Sequence, residues 1–381
     1  MSASARPVVL SGNSSWNIVN FRACLITALE EAGFEPVVIA PVDPPGEERM
    51  RRMGVRRIVV DMDRSGLNPF KDLRLLLRYR RLLAELRPAA YLGFTIKPNI
   101  YGAIAARLCG VPAIPNISGL GTVFIRGGLL GSLVSGLYRF GLAKAPVVFF
   151  QNADDLGEFV GRNLVRRDQA RLLAGSGIDL DRFAPAPMPS GPLKFLLIAR
   201  LLGDKGVREF IDAARLLRRE GSNSCFQLLG PLDPANRTGI AGSELEGWIA
   251  EGTVEYLGET DDVRPFIAGS HVVVLPSYRE GLPRSLLEAA AMGRPLVATD
   301  VPGCRHVVED GVNGVLCAVR DAASLADAMG RMEGMPAGQR TAMGDAARAR
   351  VQAEFSETRV IQAYLDALAE VAPQPQAPPG S

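Results

Sequence analysis

The chain has 381 residues, 47% hydrophobic and 22% charged, the profile of a soluble globular protein long enough for two domains. Two histidines, and five cysteines without ligand spacing, argue against a zinc site; no apolar run reaches about 18 residues without a charge, which argues against a membrane-spanning helix. The net charge of +2 hides an imbalance, since residues 1–180 carry 23 Lys and Arg against 15 Asp and Glu and residues 181–381 carry 20 against 26, so the first half should face an anionic membrane surface or a nucleic acid.

The cysteines, Cys24, Cys109, Cys225, Cys304 and Cys317, sit in apolar or mixed contexts. With no signal peptide opening the chain, they read as reduced thiols of a cytoplasmic protein. Residues 7–10 read as a first strand, 11–15 as a small-residue loop, 18–32 as a helix ending at Gly33, and 37–40 as a second strand. This is the opening of a nucleotide-type α/β domain, but the loop lacks G-x-G-x-x-G, so dinucleotide binding is not indicated. Residues 56–61 form a third strand. Asp61-Met-Asp63 and Asp179-Leu-Asp181 make D-x-D patterns in loops, which chance supplies in a chain of this length, and no metal is expected there.

Residues 72–86 read as a helix with leucines at 73, 76, 77, 82, 83 and 86 and arginines at 74, 78, 80, 81 and, just past its end, 87. Its cationic face is either solvated, behind a helix packed on a sheet, or turned toward anionic lipid or a lipid-linked diphosphate. The apolar, glycine-punctuated segment 125–142 offers a second membrane contact. Residues 89–94 are a strand, 95–102 lead into a helix ending at Gly110, 112–115 are another strand, and 116–121 a loop. Strands at 147–151 and 171–174 flank a helix begun at Asp154. The Gly- and Pro-rich stretch 175–191 is the best linker.

A new first strand at 194–199 is followed by Arg200-Leu-Leu-Gly-Asp-Lys205-Gly206 and a helix to about Arg219. Two cations on one tight loop beside a helix start suit a diphosphate; a solvated loop is the plainer alternative. Strands follow at 226–229 and 254–257, then a short helix opened by 258–262. Residues 272–275 are a buried strand ended by Pro276, Pro283 suits the first turn of a helix over 285–292, Gly293 ends it, and 296–299 are another strand. The chain is then helical from 323 to about 369, with a turn near 334–338. Residues 373–381 read as a disordered Pro-rich tail.

Glu280 and Glu288, with seven residues between them, the flanking Arg-Glu-Gly-Leu-Pro-Arg, and Pro302-Gly-Cys-Arg-His-Val-Val-Glu-Asp-Gly-Val-Asn-Gly314 together resemble the retaining glycosyltransferases of family 4. The resemblance covers roughly residues 7–370. It implies the GT-B fold, an α/β architecture of two Rossmann-like domains whose parallel sheets face across a cleft. Domain boundaries would be 1–178 (acceptor side), 191–355 (nucleotide-sugar side) and 356–372 (a helix crossing back). It also implies a UDP-sugar donor with no cofactor and no metal. Arg200 and Lys205 would hold the donor diphosphate, Glu288 the ribose hydroxyls, and Glu280 the donor sugar. Backbone of Gly281, Leu282 and Arg284 would bind sugar or phosphate, and the loops at Gly230 and Leu257 the nucleobase.

Gly12 and Asn13 would approach phosphate or acceptor, although a plain β–α turn explains them equally. The loops bearing Lys97, Ser118 and Gly119 resemble the branch that acts on polyprenyl-diphosphate-linked sugars, which places the protein peripherally on the anionic inner face of the cytoplasmic membrane rather than on nucleic acid. His271 and His306 read as structural, and with no histidine before position 271 no histidine base can come from the first domain. A surface i, i+4 ion pair with Arg284 is the bland alternative for Glu288. A UDP-N-acetylglucosamine 2-epimerase, a nicotinamide-dependent dehydrogenase and a non-catalytic sugar-nucleotide-binding protein are the competing functions.

Overall fold

Short runs of branched aliphatic residues, such as Val8–Leu10 and Val272–Leu275, are buried throughout, as strands of parallel sheets covered by helices on both faces are. The computed structural model describes residues 6–63, 68–119 and 128–372. Two units result, the chain leaving the first at Ser176 and returning to it at Glu357. The tail at 373–381 and the start of the apolar segment at 125–142 lie outside the described residues.

In the first unit β1 (Arg6–Ser11), β2 (Phe34–Ala40), β3 (Arg56–Val59) and β4 (Ala90–Gly93) form a parallel sheet in the order β3-β2-β1-β4. A second parallel set follows the order β5 (Asn116–Ile117), β6 (Val148–Phe150), β7 (Ala170–Leu172). The strand expected at 112–115 is a single bridge between Tyr91 and Ala113, and the paired strand begins only at Asn116. Pro112 and Pro115 have no N–H to give a ladder, so only their carbonyls are used, by Tyr91 and Phe149.

The last helix, Glu357–Val371, belongs to this first unit. Val360, Ala367 and Leu368 join its core, and the Tyr364 ring lies 6.0 Å from Phe94 and 5.0 Å from Phe149 between centroids. The buried Tyr364 hydroxyl accepts a hydrogen bond from Asn116 Nδ2 at 2.8 Å, which satisfies it.

The second unit is one six-stranded parallel sheet, in the order β10-β9-β8-β11-β12-β13. Its strands are β8 (Lys194–Ile198), β9 (Cys225–Leu229), β10 (Glu255–Tyr256), β11 (Val272–Leu275), β12 (Leu296–Thr299) and β13 (Gly314–Cys317). Strand β13 and the helix Gly242–Ala250 were not foreseen in the sequence; the latter is only nine residues and exposes Glu246 and Ile249. Phe195 and Phe226 stack at 5.7 Å under the helix Val207–Arg219.

The Gly- and Pro-rich stretch 175–191 is not a free tether. Arg294, with no exposed surface, donates to the carbonyls of Ala186 (2.7 Å), Pro187 (2.9 Å), Ile267 (3.0 Å) and Ala268 (3.0 Å). Arg348 does the same for Phe183 at 3.0 Å and Leu180 at 3.3 Å. Prolines at 185, 187 and 189 remove every second N–H from this segment and leave a surplus of carbonyls, and a guanidinium with five donors matches them. Arg294→Met should therefore destabilise the protein by about 3 kcal/mol or more, because several carbonyls lose a charged donor in a buried site. Urea unfolding of the full chain should show a lower midpoint, and a shift under about 1 kcal/mol would contradict this account.

Candidate functional site

Because all six strands of the second unit run parallel, every loop that follows a strand leaves the same edge of the sheet. The loops after β8 and β11 are neighbours there, and two glycines allow close approach, one between these two loops and one between the β11 loop and the loop after β12. Gly206, at φ 72°, sits where a Cβ would fall 2.1 Å from the Pro276 carbonyl oxygen. Gly303, at φ 81°, sits where one would fall 2.5 Å from that of Gly281. Neither the positive φ nor the approach admits a larger residue. The Tyr278 N–H donates to the Asp204 carbonyl at 2.9 Å, and Thr299 Oγ1 to that of Ser277 at 2.5 Å, tying the loops together.

This contact brings Lys205 and Glu280 together across 75 residues of sequence, with Nζ 2.5 Å from Oε1. Their side chains are 25% and 13% exposed, so the pair is screened from bulk water on most sides. Ser277 Oγ donates to the same carboxylate oxygen at 2.7 Å. Arg200 is more exposed and lies 3.0 Å from Asp233 Oδ2. The two cations of the loop thus take separate acidic partners and do not converge on one another. The buried Cys304 thiol is pushed up by burial and by the negative charge of Glu280.

Tyr278 braces the arrangement from outside. Its hydroxyl donates to Glu209 Oε1 at 2.6 Å and the Arg320 guanidinium lies 4.5 Å from its ring centre. Burial and the Glu209 contact push the phenol up to about 12. Ser277 and Tyr278 stand between Pro276 and Glu280 in the sequence, so a polar residue at a strand end was the available signal for them. Asp233, Glu209 and Arg320 had none, being brought in by the fold from distant segments.

Glu288 lies within the helix Arg284–Ala291 and is buried. The ion pair with Arg284 exists, Nε to Oε1 at 2.7 Å, but the side chains are 26% and 12% exposed, so it is not a surface pair. Burial raises the Glu288 carboxyl above the usual range, opposed by Arg284. Pro283 precedes this helix without any side-chain cap, so the first-turn N–H groups, Arg284 among them, are not closed by a capping side chain. Gly281 and Leu282 are half-buried just ahead of it. At the neighbouring strand ends, the Gly230 N–H donates to Gly258 at 2.8 Å and the Leu257 N–H to Leu228 at 2.9 Å.

In the first unit, Gly12 and Asn13 follow β1, and Ser118 and Gly119 follow β5. Phe94 links them, its N–H donating to Ser11 at 3.0 Å and its carbonyl accepting from Ser118 Oγ at 3.3 Å. Lys97 is engaged inward, 2.7 Å from buried Asp72, which also accepts from the Tyr101 hydroxyl at 3.0 Å. Of the D-x-D patterns, Asp63 lies 3.1 Å from Lys71, and Asp179 accepts the N–H groups of Asp181 (3.1 Å) and Arg182 (2.9 Å). His271 Nδ1 accepts from the Lys194 N–H at 3.1 Å, and burial lowers its pKa. His306 packs edge-on to Phe355.

Residues 192–333 match the family model described as glycosyl transferases group 1, and residues 22–192 that of the glycosyl transferase 4-like domain. The N,N'-diacetylbacillosaminyl-diphospho-undecaprenol alpha-1,3-N-acetylgalactosaminyltransferase of Campylobacter jejuni is 29% identical over 82% of this chain and 85% of its own length. The UDP-Gal:alpha-D-GlcNAc-diphosphoundecaprenol alpha-1,3-galactosyltransferase of Escherichia coli is 24% identical over 73% and 75%. Among solved structures, HepE of Anabaena in complex with UDP-glucose superposes with a TM-score of 0.78 at 18% identity, covering 96% of this chain and all of that one. A glycosyltransferase from Rickettsia africae gives 0.77 at 15% identity, over 97% and 99%. These likenesses assign the GT-B fold.

Glu288 generates a prediction about pH. Its carboxyl binds a proton more tightly in the folded protein than the ordinary value of 4.5. Its contribution to stability is therefore full below that value and falls as the pH rises from there toward the folded pKa. Glu288→Gln lacks this loss. In urea unfolding at a series of pH values from about 4 to about 7, its stability relative to wild type should improve with rising pH, whatever constant offset the loss of the Arg284 pair introduces. A relative stability that declines across that range would show the carboxyl is not raised.

Proposed function

The chain belongs to the group 1, family 4-like glycosyltransferases, and on that premise we propose that it is a retaining, metal-independent enzyme. It moves a hexose or N-acetylhexosamine from a UDP-sugar to a saccharide on a polyprenyl diphosphate, at the inner face of the cytoplasmic membrane, in assembly of a surface glycan. The observation that carries the catalytic reading is the Lys205–Glu280 contact at the sheet edge. The acceptor class rests on the relatives from Campylobacter jejuni and Escherichia coli, both named for diphospho-undecaprenol substrates.

In this reading the barrier is the break of the anomeric C–O bond, with negative charge building on the departing diphosphate. Lys205 is the cation nearest that charge, and the donor phosphate competes with Glu280 for its ammonium. Arg200, exposed beside Asp233, turns to the same diphosphate. The first turn of the helix begun at Arg284, which has no side-chain cap, adds dipolar stabilisation. These groups supply the charge that a metal would otherwise supply.

Glu280, freed from Lys205, accepts hydrogen bonds from donor-sugar hydroxyls and stabilises the positive charge at the anomeric carbon. Glu288 accepts from the ribose hydroxyls, and its burial makes those bonds stronger than they would be in water. Backbone at Gly281 and Leu282 binds sugar or phosphate, and Gly230 and Leu257 border the base. Gly12, Asn13, Ser118 and Gly119 meet the acceptor, with Lys97 orienting their loops. The acceptor hydroxyl attacks on the face the diphosphate leaves; its proton passes to a phosphate oxygen as the new C–O bond forms, so configuration is kept.

Lys205→Ala should lower kcat about a hundredfold or more with the fold intact, the usual consequence of removing one preorganised donor to a developing anion. The assay is transfer from a panel of UDP-sugars to a membrane lipid extract, with the anomeric configuration of the product read by NMR. A near-normal kcat for the variant would remove Lys205 from catalysis. Release of a free epimer without acceptor would favour an epimerase instead.

A further inference from the structure

Lys205 Nζ lies 2.5 Å from Glu280 Oε1, and Ser277 Oγ lies 2.7 Å from the same atom. These donors differ in what holds them. The lysine ends a flexible four-carbon stem and is 25% exposed, and in the proposed reaction it leaves for the donor phosphate. The serine has no exposed surface and one torsion that moves its oxygen. Its backbone is fixed at three successive residues. The Pro276 carbonyl packs on Gly206, leaving no room there for a Cβ. The Ser277 carbonyl accepts from Thr299 Oγ1 at 2.5 Å, and Thr299 is itself buried. The Tyr278 N–H donates to the Asp204 carbonyl at 2.9 Å. These ties run to the loop after β8 and to β12, so the hydroxyl belongs to the rigid edge of the sheet.

A buried hydroxyl must bond something, and a backbone carbonyl is enough for that need. Buried Ser270 donates to the Ile267 carbonyl at 2.9 Å and buried Ser11 to that of Ile39 at 2.8 Å. Ser277 instead gives its proton to a carboxylate, where a hydrogen bond is stronger because the acceptor is charged. The difference matters once Lys205 departs. A glutamate side chain has three rotatable bonds, and an unheld one spreads over several rotamers. Glu280 would then lose its position just as positive charge develops beside it. A donor that cannot follow the lysine removes that freedom.

We propose that Ser277 is a positioning residue for Glu280. Its hydroxyl holds Oε1 in place while Lys205 turns to the donor diphosphate, and Oε2 is the oxygen that meets the donor sugar. Thr299 anchors the serine from the neighbouring strand. The proposal rests on the proposed transfer reaction and deepens it by separating the mobile partner of Glu280 from the fixed one.

The test is steady-state sugar transfer, together with UDP binding by calorimetry, for the full chain as wild type, Ser277→Ala, Glu280→Ala and the double variant. Ser277→Ala should lower kcat about tenfold or more, the usual effect of losing one hydrogen bond to a charged group. The donor KM should stay within about twofold of wild type, because the loss falls on the transition state. UDP carries no sugar for Glu280 to meet, so its affinity should be unchanged. A serine that merely stabilised its loop would weaken UDP binding as well, since the same loop packs against the one bearing Lys205. In the Glu280→Ala background, adding Ser277→Ala should cost less than about twofold, because the hydroxyl has no carboxylate left to hold. An equal loss in both backgrounds, a raised KM with unchanged kcat, or a silent Ser277→Ala beside a damaged Glu280→Ala would overturn the proposal and leave the proposed reaction standing. A near-normal kcat for Glu280→Ala would count against the proposed chemistry of Glu280 itself and take this proposal with it.

Discussion

A parallel sheet has one edge at which every following loop emerges, and the chemistry of this protein depends on that directionality. Strands β8 and β11 are neighbours although 75 residues separate the two loop residues Lys205 and Glu280. Gly206 removes the side chain that would hold those loops apart, against Pro276, and Gly303, in the loop after β12, does the same against Gly281. The result is an ammonium and a carboxylate in contact at that edge, the pair on which the proposed donor site is built. Replacing Gly206 would drive those two loops apart without touching either charge.

Around that pair the second unit spends much of its polar structure on rigidity. Buried Arg294 and half-buried Arg348 hold the proline-rich entry segment by its carbonyls. Tyr278 is held at its ring by Arg320, at its hydroxyl by Glu209 and at its N–H by Asp204. Glu288 is kept buried at a cost in stability, because desolvation disfavours its charge. Groups held at such a cost cluster at functional sites, which is the physical ground for including Glu288 in the proposed one.

Much of this was legible in the residues. The alternation of short β-branched runs with Gly-ended helices indicated parallel α/β sheets, and the stretch from Val272 to Thr299 has the expected strand, loop, helix and strand. Lys205, Glu280 and Glu288 were singled out from their own loop and helix contexts. The expected strand at 112–115 failed because apolar content was weighed above the missing N–H groups of two prolines. The stretch 175–191 was read as a linker because Gly and Pro mark irregular backbone, whereas the arginines that fasten it lie more than 100 residues away.

The sequence by itself determined which segments become strands and helices and which charged groups sit at their ends, since those depend on local periodicity and on the backbone limits of glycine and proline. It did not determine who meets whom. That Lys205 pairs with Glu280 while Arg200 turns to Asp233 follows from the strand order β10-β9-β8-β11-β12-β13, which is not the order of the chain. Strand order minimises the exposed apolar surface of the whole unit, and no short window of residues carries that quantity.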